Sequence, residues 1–151
     1  MDPEYHPRRT DRARSAKGPP DDPAKDRDAA NRPPWKDIHD YGVIGNLTTA
    51  ALIARDGGIE WACFPSFSSP SVFGQLLDRA RGGCHRIVVD GAVGSFQRYS
   101  PGTNVLRTFL TTRESAVTVT DWMPLPPNAD RPAPPRILRR LDVTGPPVSV
   151  T

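Results

Sequence analysis

The first 34 residues contain no Val, Ile, Leu, Phe or Trp. Such a stretch cannot bury enough apolar surface to offset the entropy of ordering its backbone, so residues 1–34 are expected to form a disordered tail. The acids Asp2, Glu4, Asp11, Asp21, Asp22, Asp26 and Asp28 nearly cancel its bases. It therefore reads as a solvated leader rather than a nucleic-acid-binding arm. Whatever folds is confined to residues 35–151, which leaves room for one domain with a small core.

From Trp35 onward the chain reads as short strands separated by Gly, Pro and Asp. Residues 47–54 (LTTAALIA) are β-biased, and Arg55-Asp56-Gly57-Gly58 is a turn, with Asp for local hydrogen bonds and Gly for positive φ. Residues 59–64 (IEWACF) alternate, which puts Ile59, Trp61 and Cys63 on one face and Glu60 on a solvated one. The two runs form a hairpin. Ser69-Pro70 is a helix start, and Val72, Phe73, Leu76 and Leu77 give one apolar face to a short helix stopped by Gly82-Gly83. Residues 85–90 are a strand candidate and residues 96–99 a weak one. Residues 104–112 and 116–122 are the clearest strands, paired as a second hairpin with Val117 and Val119 on one face. A loop with six prolines spans residues 123–135, and residues 136–143 are a further strand, with helix as the rival reading. About six strands and one short helix indicate an all-β, antiparallel β-sandwich, a thin and incomplete set.

Charge and composition exclude several classes. A formal charge of +3 from 20 basic and 17 acidic residues points to neither nucleic acid nor an anionic membrane. No apolar run approaches the roughly 18 residues of a membrane span. The N-terminus has no apolar core of a secretory signal, so a cytoplasmic chain is expected. Cys63 and Cys84 are then expected as reduced, partly buried thiols. His6, His39 and His85 form no ligand-spaced pair with them, and no metal or cofactor is expected. No nucleophile elbow, phosphate loop or dinucleotide fingerprint occurs. The acids of the ordered part, Asp56, Glu60, Asp78, Asp90, Glu114, Asp121 and Asp142, sit mostly at turns and strand ends, where they satisfy backbone donors. Asp121, beside Trp122 at a strand end, stands out most. Phe67, on a loop between serines and prolines, is as fit for stacking on a sugar as for packing.

Several blocks resemble a known family. They are Tyr41, Ile44-Gly45-Asn46, Thr49-Ala50-Ala51-Leu52, Asp56-Gly57, Ile59, Trp61, Cys63, Pro65, Phe67, Ser69-Pro70-Ser71-Val72-Phe73 and Leu76-Leu77-Asp78. Residues 98–106 and 119–124 continue the pattern. In this order they resemble the N-terminal, trehalase-like domain of family 15 glycoside hydrolases, the glucoamylases and trehalases. Gly58, Glu60 and Ser68 depart from the family pattern, which has Ser, Asp and Asp there.

The resemblance implies a β-sandwich, residues 35–151, packed against an α/α barrel that carries two catalytic glutamates and inverts the anomeric centre. By this resemblance, no barrel and no catalytic residue is expected in this chain, and the sandwich is expected to stop short of its last strands. The expected function is that of a non-catalytic domain or fragment supporting the barrel of an enzyme acting on α-glucosides. The alternative is a free-standing carbohydrate-binding β module. The substrate-entrance candidates are Ser66, Phe67, Ser68, Asp121 and Trp122. The expected partners are the barrel and α-glucosides, with no nucleic acid and no membrane.

Overall fold

The structure, a computed structural model, describes residues 35–126, 128 and 135–151. The tail expected over residues 1–34 lies outside them. Eight strands form two four-stranded antiparallel sheets, each a simple meander. The first sheet runs β1 (Tyr41–Gly45), β2 (Ala50–Ala54), β3 (Ile59–Cys63), β4 (Ser71–Phe73). The second runs β5 (Gly94–Tyr99), β6 (Leu106–Thr111), β7 (Ala116–Trp122), β8 (Leu138–Thr144). A 3-10 turn at Ile38–Asp40 leads into β1. The all-β sandwich read from the sequence is the architecture observed, with eight strands where about six were expected.

The sheets meet through alternating side chains. On β6, Leu106, Thr108 and Leu110 are buried while Arg107, Phe109 and Thr111 are half-exposed. One core cluster joins Ile44, Ala51, Ile53, Ile59 and Ala62 of the first sheet to Leu106 of the second and to Met123. The other packs Ile87 and Val89 on Leu110, Val117 and Val119. Each Ile, Val, Leu or Met among them contributes about 1.5–3 kcal/mol on leaving water. The approach is close enough to demand a glycine: a Cβ on Gly42 would stand 2.5 Å from Leu106 Cδ2. One flank is closed by polar bonds. Tyr99 Oη donates to Val43 O at 2.8 Å and accepts from Val43 N at 2.7 Å. Gln97 Nε2 donates to Ala54 O at 3.0 Å and Thr108 Oγ1 at 2.9 Å.

Three local expectations are corrected. The short helix starting at Ser69-Pro70 does not form. Residues 71–73 instead extend to pair with β3, Phe73 opposite Ala62 and Ser71 opposite Cys63. Val72 and Leu77 end up exposed, so the four apolar residues share no face. A loop follows that Gly74 and Gly82 close by crossing, Gly74 N donating to Gly82 O at 2.6 Å. The strand expected at residues 85–90 is reduced to two bridges, Ile59 with His85 and Val89 with Val150. The strand expected over residues 136–143, by contrast, is present as β8. Glu60 is not solvated but 4% exposed. The cause is a β-bulge: Leu52 faces Trp61 while Ile53 faces Ile59, which leaves Glu60 as the extra residue. Strict alternation fails there, and Ile59 and Ala62 both enter the core.

Candidate functional site

The densest polar cluster gathers around the β2–β3 turn. Lys36 Nζ bonds Asp56 Oδ2 at 2.7 Å and also Glu60 Oε1. Arg86 Nη2 reaches Glu60 Oε1 at 2.8 Å, and its Nη1 lies 3.4 Å from Asp56 Oδ2. Tyr41 Oη donates to Glu60 Oε2 at 2.6 Å. Two carboxylates are thus shared by two cations and a phenol, and the bulge is what turns Glu60 toward them. Burial works to raise the Asp56 carboxyl, yet the hydrogen bonds from Lys36 and Gly58 N–H and the charges of Lys36 and Arg86 hold it below its usual value. Asp56 therefore stays ionised and has no proton to give near neutrality.

Burial, the hydrogen bond to Glu60 and the charge of that carboxylate all push the Tyr41 phenol well above its ordinary value of 10.0. The sign follows from linkage. A raised folded-state value means a stabilising contribution intact below about pH 10 and lost as pH climbs toward the folded value. Urea midpoints measured from about pH 9 to about pH 11 should fall in the parent chain. Tyr41→Phe should lose that component, while starting lower by about 1.5–3 kcal/mol for the missing bond to a charged acceptor. Parallel pH profiles for the two proteins would remove Tyr41 as the cause.

Across the same turn lies a second ion pair. Arg139 grips Asp121 with both arms of its fork, Nε to Oδ1 at 2.7 Å and Nη2 to Oδ2 at 3.1 Å. Arg139 Nη2 also donates to Gly57 O at 2.6 Å, and Nη1 sits 2.9 Å from His85 Nδ1. Asp121 is fully buried. Burial pushes its carboxyl above the usual value, against the pull of Arg139 and His85.

The five sequence candidates occupy three places. Ser66 and Ser68 lie in the loop after β3, where Ser66 Oγ is 3.0 Å from Ser68 Oγ and 3.2 Å from Ser69 Oγ. Phe67 N donates to Thr48 O at 3.3 Å, and the residue is 59% exposed. Asp121 points into the sandwich, and its neighbour Trp122, next along β7, points to the outward face of the second sheet. Sequence reasoning missed Lys36, Tyr41, Glu60, Arg86 and Arg139. A glutamate inside an otherwise apolar strand was the only signal for this hub.

A cleft of about 720 Å³ opens between the edge strands β4 and β8. It is lined by Ile59, Phe64, Phe73, Ile137 and Leu141, with His85 at its wall. Among the described residues no three His, Cys, Asp or Glu side chains group as metal ligands. No described helix is long and apolar enough to cross a membrane. Cys63 is a buried free thiol and Cys84 a half-buried one.

A family model described as trehalase-like, N-terminal, matches residues 33–145. The chain is 36% identical over 96 residues to a trehalase of Mycolicibacterium smegmatis, covering 64% of this chain and 14% of that protein. It is 39% identical over 90 residues to a trehalase of Thermoplasma volcanium, covering 58% and 14%. Trehalase 1 of Sulfolobus acidocaldarius is 39% identical over 84 residues, covering 56% and 15%. The matched region thus spans about a seventh of the length of these relatives. No solved structure matches the chain.

Proposed function

This chain belongs to the trehalase-like N-terminal domain family, and from that premise we propose that it is a non-catalytic β-sandwich unit of an α-glucoside hydrolase. The enzyme is of trehalase type, with glucoamylase type as the nearest variant. Its role is to support a separate catalytic α/α barrel. The observation that carries this reading is the state of the buried carboxylates. Hydrolysis with inversion needs one carboxyl able to give a proton and another, on the far side of the bond, free to activate water. Glu60 is bound by Lys36, Tyr41 and Arg86, and Asp121 by Arg139, so each is committed to the fold. The free thiols of Cys63 and Cys84 support a cytoplasmic setting.

Two assays test this. The purified chain should release no glucose from trehalose or maltose. A trehalase of Mycolicibacterium smegmatis whose matching segment is replaced by residues 33–145 of this chain should keep its activity. Glucose release by the chain alone, or a folded but inactive chimera, would overturn the proposal. The exposed Phe67 favours a second reading, a free-standing carbohydrate-binding module, with the Ser66–Phe67–Ser68 loop as its contact. Calorimetric titration with maltose and trehalose, lost on Phe67→Ala, would support it. The absence of heat with either sugar would remove it.

A further inference from the structure

Strand β8 forms one edge of the second sheet, with β7 on its inner side. Its seven residues, Leu138–Thr144, run in unbroken register with β7. Among the described residues no backbone group pairs with its outer side. A long, regular edge of this kind is a template for a further strand, and proteins usually blunt it. The other edges here are blunted. On β1 the Tyr99 hydroxyl takes both Val43 N–H and Val43 C=O, and Asn104 Nδ2 donates to Gly45 O. Strand β4 is three residues long. Strand β5 begins on a glycine and carries Arg98 with no acid, so it offers a charge without the complement.

Both faces of β8 are incomplete. Arg139, Leu141 and Val143 lie on the core side, where Arg139 holds Asp121 and the other two stand opposite the buried Val119 and Val117. Yet Leu141 and Val143 are 41% and 49% exposed, since the first sheet does not reach over them. Arg140 and Asp142 lie on the outward side, opposite Thr120 and Thr118, so β7 gives neither a charged neighbour. They bond one another along the strand, Nε to Oδ2 at 3.0 Å, with side chains 65% and 50% exposed.

The order of the charges says what this edge fits. Arg140 and Asp142 flank Leu141 symmetrically. A second copy lying antiparallel, with a two-fold axis at Leu141, sets Arg140 opposite Asp142 of that copy on each side of the axis. Leu141 then meets Leu141 of the second copy on the core side. Val143 lies opposite Arg139, whose charge is already answered by Asp121. Neighbouring registers are penalised. Opposed residues must share a face, so the axis moves only by whole residues. One step either way opposes Arg140 with Arg140 or Asp142 with Asp142, and like charges directly opposed are destabilising. We propose that β8 is a homodimer interface, in which two copies of this chain join their four-stranded second sheets edge to edge, antiparallel about Leu141.

Sedimentation velocity on the full chain over a concentration series tests this. A monomer–dimer equilibrium is expected, weakened by added salt. Arg140→Asp opposes acid with acid on both sides of the axis, and Asp142→Arg opposes base with base. Each should weaken dimerisation about tenfold or more. Mixed in equal amounts, the two variants complement one another, and the mixture should regain a dimer of parental affinity. The double variant Arg140→Asp/Asp142→Arg should regain it alone. Circular dichroism of each variant should match the parent, because both side chains are exposed, and this separates a lost interface from a lost fold. A parent that stays monomeric, assembly beyond the dimer, single variants that dimerise like the parent, or a mixture that stays monomeric would each overturn the proposal.

Discussion

Arg139→Met should destabilise the domain by about 3–5 kcal/mol, because it leaves the Asp121 carboxylate buried without its cation. Asp121 is fully enclosed, and Arg139 provides both of its side-chain bonds. The variant has a pH signature. Asp121 already titrates above its usual value because of burial, with Arg139 pulling it down. Without Arg139 that value rises further. An acid with a raised folded-state value is most stabilising at low pH and loses stability as pH rises through that value. The variant should therefore lose stability relative to the parent as pH rises above about 4, the ordinary carboxylate range. The double variant Asp121→Leu/Arg139→Met should recover most of the loss, since a buried pair exchanged for apolar groups of like volume is close to neutral. It should fall short by about 1 kcal/mol, the bond from Arg139 to Gly57 O being lost as well. Thermal melts of the three proteins decide it. If the single and double variants melt together, the ion pair is not what the position needs.

What could be read from the sequence depended on whether local pattern and tertiary demand agreed. They agree over β6 and β7, where the register is continuous and every inward residue of β6 is buried. They disagree in the segment after Ser69, where helix signals lost to the need of β3 for a neighbour. Strand β1 was not foreseen because Gly42 and Gly45 weaken a β pattern. Gly42 is there for the contact with Leu106, a residue far away in sequence. The Glu60 hub was hidden for a related reason. Alternation assigns a face to each residue, and a bulge cancels that assignment without leaving a mark in local composition. Its cation Lys36 stands beside the apolar-poor leader, where a lysine reads as one more solvated charge. For Asp121 the sequence marked the residue but not its partner, which lies across a strand pair 18 residues on.

Glu60→Gln should cost about 2–3 kcal/mol. The amide keeps the shape but weakens three charge-assisted contacts, to Lys36, Arg86 and Tyr41. The effect is smaller than at Arg139 for a geometric reason. The side chains of Lys36 and Arg86 are 24% and 35% exposed, so water and Asp56 can take over part of their solvation. Asp56→Asn should accordingly cost less than half as much, since its side chain is 39% exposed. Glu60→Ala should be worse than Glu60→Gln, because it adds a cavity at the bulge to the loss of charge. Chemical denaturation at neutral pH tests the order Ala, then Gln, then Asn at Asp56. If Asp56→Asn proved as costly as Glu60→Gln, the cations would be anchored by the turn rather than by the bulge. The bulge at Glu60 would then serve only to shift the register that brings Ile59 and Ala62 into one core.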